Sequence, residues 1–307
     1  MNTTAMRIPS NRVRDIERYM HAELDGQYPA GEVQAFAYIL FEAFVGWDKT
    51  HYLLHRDETI DQSDLLKFHW AVEDLKAYRP IQHIVGFTTF CGCKIQVSGA
   101  VLIPRPETEQ MVCQVIGHTA PAAHGTSLWL RAAPATIVDL CTGSGCIAIA
   151  LKKAFPQAQV TAIDLSPEAL AIARQNATEN GADVAFLQAD ILHDTIPSPP
   201  QGQPFGTVDL LIANPPYVRE SERPGIARNV LDYDPPEALF VPDAEPLLFY
   251  EAIGNHAVQC LSAEGLMVVE INEALASETQ SLLTAKGLHA EVHDDFRGKK
   301  RYITAHR

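Results

Sequence analysis

Apolar residues recur at helical spacing over positions 11–78. Val13, Ile16, Met20 and Leu24 come first, then a dense run over 33–45, then Leu65, Leu66, Trp70 and Leu75. Polar breaks at Gln27-Tyr28-Pro29 and around 57–64 cut this stretch into several helices of a small helical domain. The texture changes at Arg79-Pro80. From Gly86 the runs GFTTF and KIQVSG flank Cys91-Gly92-Cys93 and predict a hairpin. Positions 101–106, VLIPRP, predict an extended linker, because each proline pushes its predecessor out of the helical region.

A helix near 108–118 and a Pro/Ala/Gly-containing loop follow, and then strands alternate with helices. Strands are expected over 136–140, 160–164, 184–187 and 208–213, and helices over 145–155 and 167–180. The second of these helices has Ser166 as N-cap, Pro167 in its first turn and Gly181 as its stop. A loop is expected over 195–207. Further on come a helix near 246–261, a strand over 266–271, a helix over 275–286 and closing strands near 290–293 and 302–305. This alternation predicts the α/β class: a doubly wound, Rossmann-like parallel sheet covered on both faces. The expected division is a helical domain over 1–82, a β-hairpin and linker over 83–110, and the α/β domain over 111–307.

The chain of 307 residues is 47% hydrophobic and 20% charged, enough to bury a core of its own. Its 38 acidic residues exceed its 24 Lys and Arg, giving a formal charge of −14. Such a field repels nucleic-acid backbones and anionic membrane surfaces, so neither is an expected partner. The longest apolar stretch, 35–47, is broken by Glu42 and too short to cross a bilayer, and the first ten residues lack an apolar signal core, so a cytoplasmic protein is expected. Six cysteines form no CxxC pair and are read as reduced packing residues, with neither a disulfide framework nor a zinc site.

The first expected strand of the alternating region ends in Asp139-Leu140-Cys141-Thr142-Gly143-Ser144-Gly145-Cys146 and opens a helix. Glycines in that turn let a nucleotide-like ligand lie against bare backbone, and the helix N-terminus supplies free N–H groups. Asp164 ends the next strand, 19 residues beyond Gly145, where an acid accepts hydrogen bonds from ribose hydroxyls. Asp190, after the following strand, is placed to meet an adenine edge. Cys141 stands at the first position of the GxGxxG fingerprint and Ile147-Ala148 at its end, so a pyrophosphate is poorly served. A nucleoside carrying a sulfonium amino acid fits better, with Asp139 orienting its ammonium group directly or through water.

The strand over 208–213 runs into Asn214-Pro215-Pro216-Tyr217. The prolines hold Asn214 extended, and Pro215 has no N–H to compete with its carbonyl. The Asn214 side-chain oxygen and that carbonyl can accept both hydrogens of a planar NH₂ group, and Tyr217 can stack on its face. An amide or aryl amino nitrogen delocalises its lone pair, so holding both N–H bonds is what aims it at an electrophilic methyl group.

DLCTGSGCIAIA together with NPPY resembles a class I S-adenosylmethionine-dependent methyltransferase acting on planar nitrogen. HIVGFTTF, VLIPRPETE and NPPYVRESE with NVLDYDPPEALFVPDAEPL resemble the HemK/PrmC family over essentially the whole chain. That resemblance implies S-adenosyl-L-methionine as cofactor and class I peptide chain release factors as protein substrate, methylated on the glutamine of their Gly-Gly-Gln motif. It implies that Cys141, Thr142, Gly143, Ser144, Gly145, Asp164 and Asn214 hold the cofactor, beside Asp139 and Asp190, which their strand-end positions add. Asn214, Pro215, Pro216 and Tyr217 would form the glutamine pocket, with Asn214, Pro215 and Tyr217 catalytic. The family more often has glycine at the position of Cys141, and DLCTGSGC is also similar to sister enzymes that methylate a glutamine of ribosomal large-subunit protein three. The linker PRPETE over 104–109 is the release-factor version and decides the expectation. An adenine-amino methyltransferase of nucleic acid shares NPPY but needs a basic channel, and the expected helical domain has no Lys/Arg cluster.

Overall fold

The apolar stripe Val13, Ile16, Met20 and Leu24 is the buried face of helix α1 (Val13–Leu24). It packs against α2 (Ala30–Val45) and, beyond the short α3 (Lys49–Leu54), against α4 (Gln62–Lys76); α5 (Ile81–Val85) follows Pro80. Phe41 is the hub of this core, with ring centroids 4.8 Å from Tyr52 and 4.6 Å from Phe68. Periodicity alone missed the break before α3. Gly46 ends α2 with φ +75°, and the Asp48 side chain accepts from the N–H of His51 at 2.7 Å to start the next helix.

The computed structural model describes residues 8–117, 129–194 and 207–307. The chain divides after Gly86 into a helical unit, which also takes Ala227–Tyr233, and an α/β unit formed by the rest. Within the helical unit, the Tyr233 hydroxyl donates to the Ala77 carbonyl at 2.9 Å, and Arg228, in the short α9 (Arg228–Leu231), lies over the Tyr78 ring. No sequence signal marked this returning segment.

The α/β unit opens with a hairpin of β1 (Phe87–Phe90) and β2 (Cys93–Gln96). Cys91 and Gly92 make its two-residue turn with φ +46° and +75°, the two positive angles that match strand twist. The segment expected as a linker is packed: Val101 and Ile103 are buried, and Pro106 starts α6 (Pro106–Ile116). The main sheet contains β3 (Thr136–Leu140), β4 (Gln159–Asp164), β5 (Ala185–Gln188), β6 (Val208–Ala213), β9 (Leu261–Glu270), β10 (His289–Asp294) and β11 (Lys300–His306). Two-residue strands β7 (Val218–Arg219) and β8 (Phe240–Val241) pair separately.

The sheet order is β10-β11-β9-β6-β3-β4-β5. The chain winds from β3 outward through β4 and β5, then returns to β6 on the other side, so the topological switch lies between β3 and β6. The expectation of a wholly parallel sheet is corrected at one edge: β11 runs antiparallel to both β9 and β10. Only a tight turn joins β10 to β11, too short for the crossover a parallel pair requires.

Alternation along β3 sends Ile137 to one face and Val138 to the other. The first face is covered by α6, α7 (Cys146–Ala154) and α8 (Pro167–Glu179), and the second by α10 (Leu248–Cys260) and α11 (Ala276–Ala285). Ser166 caps α8 by accepting from the Ala169 N–H at 3.1 Å. The loop expected over 195–207 lies outside the described residues except for Thr207.

Candidate active site

Beyond β3 the backbone takes φ +57° at Cys141, +54° at Gly143 and +81° at Gly145. Gly145 has a second constraint: a Cβ there would stand 3.0 Å from Cβ of Ala173 in α8. At Gly143 a Cβ would meet nothing within 4 Å, because this stretch of backbone lines a cavity. The loop is pinned from below by the buried Asp139, whose Oδ2 accepts from Thr142 Oγ1 at 2.6 Å and from the Ala148 N–H at 3.2 Å. Its Oδ1 is buried with no hydrogen-bond partner among the described residues. Burial pushes the Asp139 carboxyl up to about 7.

Asp164, at the end of β4, accepts from the Gly143 N–H at 2.8 Å through Oδ2 and from the Ser166 N–H at 2.9 Å through Oδ1. Each oxygen keeps a lone pair for a further donor. Burial raises its pKa, against the pull of those N–H groups. Asp190 accepts from the Leu192 N–H at 2.9 Å and pairs with His193 Nδ1 at 2.8 Å, and the histidine holds its carboxyl below the usual range. Cys141, Thr142, Gly143, Ser144, Asp164 and Asp190 all line one cavity of about 450 Å³, together with the apolar Leu165, Ile191 and Phe249. Asp139 and Gly145 lie behind its wall. Burial also keeps the Cys141 thiol protonated, consistent with packing rather than nucleophilic chemistry.

Asn214 and Pro216 line the same cavity, whereas Pro215 and Tyr217 do not. The Asn214 Nδ2 donates to Thr108 Oγ1 at 3.1 Å, and Thr108 Oγ1 donates to Glu270 Oε2 at 2.6 Å. The Tyr217 hydroxyl donates to Glu270 Oε1 at 3.0 Å, which fixes the ring from its far end. Glu270 is fully buried, which raises its pKa, while Thr108, Tyr217 and the Arg301 guanidinium pull it back. Sequence reasoning gave neither Thr108 nor Glu270 a place in the site. A lone acid closing the apolar run LMVVE was the signal for the second. Arg105, also on the cavity wall, is ion-paired with the buried Asp234.

The cavity accommodates a nucleoside bearing an amino acid. It offers an acid with spare acceptors at Asp164, apolar walls beyond it and open space against the bare Gly143 backbone, with an orphaned Asp139 oxygen beneath the loop. Fold and site together define a class I S-adenosylmethionine-dependent methyltransferase, whose cofactor is S-adenosyl-L-methionine. Residues 123–234 match the methyltransferase small domain family, and residues 19–86 match the PrmC N-terminal domain family. The release factor glutamine methyltransferase of Flavobacterium psychrophilum is 40% identical over 273 residues, which cover 89% of this chain and 91% of that protein. That of Bacteroides thetaiotaomicron is 35% identical over 294 residues, covering 95% and 99%. A solved methyltransferase from Pyrococcus furiosus, 17% identical, covers 70% of this chain and 88% of that chain with a TM-score of 0.48. The chain belongs to the release factor glutamine methyltransferase family. Among the described residues no helix is long and apolar enough to cross a membrane.

Proposed function

We propose that this protein is a cytoplasmic enzyme that transfers a methyl group from S-adenosyl-L-methionine to the side-chain amide nitrogen of the Gly-Gly-Gln glutamine in class I peptide chain release factors. The observation that carries the reading is the position of Asn214, which closes β6 on the wall of the cavity that the glycine loop and Asp164 also line. Membership of the family supports the choice of substrate.

Bound S-adenosylmethionine supplies a methyl group made electrophilic by its sulfonium. Asp164 accepts the ribose hydroxyls, Asp190 meets the adenine edge, and the loop from Cys141 to Gly145 cradles the amino-acid portion above Asp139. Asn214 Oδ1 and the Pro215 carbonyl accept the two N–H bonds of the target amide, which leaves its nitrogen lone pair directed at the methyl. Pro216 walls the pocket. Tyr217 supports Asn214 from behind through Glu270. The methylated nitrogen is strongly acidic until it loses a proton, so water suffices as the base. The helical domain reads the protein around the glutamine, because one side chain gives too little to select one site in one protein.

The test is incubation of the full-length protein with labelled S-adenosylmethionine and, separately, a release factor and ribosomal large-subunit protein three, followed by mapping of the labelled residue. Label on the Gly-Gly-Gln glutamine is expected. Label only on the ribosomal protein, or none on either, overturns the assignment.

A further inference from the structure

We infer that Thr108 and Glu270 are positioning residues that decide which end of the Asn214 side-chain amide faces the cavity. The oxygen and nitrogen of an amide are nearly the same size, so packing does not choose between the two flips; hydrogen-bond partners do. Only one flip offers an acceptor to a substrate N–H. The other offers a second N–H and repels it.

Thr108 makes the choice because its hydroxyl has one proton to give. That proton goes to Glu270 Oε2 at 2.6 Å, a short bond to a carboxylate. Thr108 Oγ1 then has only lone pairs for Asn214, which presents Nδ2 at 3.1 Å and turns Oδ1 away from the threonine. The far end of the relay is closed as well: the Tyr217 hydroxyl occupies Oε1 of the same carboxylate at 3.0 Å. Both carboxylate oxygens therefore act as acceptors. Thr108 is 2% exposed and Glu270 1%, so water does not substitute for a missing partner. Neither residue lines the cavity, so each acts through Asn214.

The inference deepens the proposed reaction and rests on it for the role of Asn214. It is tested by Thr108→Val, which keeps the shape and removes the hydroxyl, and by Thr108→Ser, which restores it, each measured alone and with Asn214→Ala. Thr108→Val is expected to lower kcat about 10- to 100-fold, the scale of a misplaced reacting group. Cofactor affinity should stay within about twofold, since the relay makes no cofactor contact, and Thr108→Ser should recover most of the rate. In the Asn214→Ala background the same change should cost less than about threefold, since a relay with nothing to orient has no effect. Parent-like kcat in Thr108→Val, or an equal loss in both backgrounds, overturns the inference. Thr108→Ala replaces the valine variant if that fails to fold.

A second readout needs no substrate: the Asn214 side-chain NH₂ signals, assigned by their loss in Asn214→Ala, should be protected from hydrogen exchange in the parent and in Thr108→Ser but not in Thr108→Val. Should the parent leave release factor unmethylated, the functional reading fails while these signals still decide the orientation. Unprotected signals in the parent would overturn it.

Discussion

The backbone N–H of Gly143 donates to Asp164 Oδ2 at 2.8 Å, so the acid at the end of one strand holds the glycine loop at the end of its neighbour. Capping acid and ribose acceptor are usually alternative readings of such a residue. Here one carboxylate has the lone pairs for both, and each loop N–H it accepts fixes its direction toward the cavity.

Replacement of Asp164 by Ala should therefore weaken S-adenosylmethionine binding by about 1–3 kcal/mol, through lost hydroxyl contacts and a loosened loop. Calorimetry checks this. Equal affinity in variant and parent would remove the ribose assignment.

Asn214→Ala should reduce the rate of methyl transfer by about two to three powers of ten, the cost of losing one positioned contact to the reacting group. Cofactor affinity should fall much less. Single-turnover transfer at saturating cofactor separates the two effects, and near-parent turnover would show that the amide is not held at Asn214.

The two loop glycines should fail differently when changed to Ala. Both have positive φ, which costs about 1–2 kcal/mol for an L side chain. Gly145→Ala adds the 3.0 Å approach to Ala173 and should show the larger loss in urea unfolding. Gly143→Ala meets no protein atom, so its main effect should be on cofactor binding, where the new methyl group enters the cavity. The opposite ranking would mean that the cofactor does not lie against Gly143.

Asp139 links stability to pH in the direction opposite to an ordinary paired acid. Its carboxyl titrates near 7 when folded and near the usual Asp value, about 3.9, when unfolded. Between those values the folded state holds a proton that the unfolded state has released, so stability falls as pH rises, by at most about 1.4 kcal/mol per unit. Above about 7 both states are ionised and the effect is level. Asp139→Asn cannot titrate. Its stability relative to the parent, measured without cofactor by urea unfolding, should improve from pH 5 to 7 and then stay constant. A difference independent of pH would place the carboxyl in a less desolvated setting.

Much of this protein is determined by local sequence. Period-two and period-3.6 patterning placed β3 and β6 residue for residue and α8 to within a residue, because one buried face suffices to specify an element. Ser166 and Pro167 marked the start of α8 because a cap is satisfied within a few residues. The placement of the glycine loop, Asp164 and Asn214 at strand ends was legible too, since local pattern sets the strands that carry them.

What needed the tertiary structure is what depends on residues far apart in the chain. Thr108 meets Asn214 across 106 positions and Glu270 across 162, and no periodicity reports such a meeting. The bond from the Tyr217 hydroxyl to Glu270, across 53 positions, was hidden in the same way. The antiparallel edge at β11 and the return of Ala227–Tyr233 to the helical unit were equally hidden. Hydrophobic pattern says which face of an element is buried, but the partner a buried polar atom finds is decided only when distant elements close around it, because there the loss of water must be answered by whatever group the fold supplies.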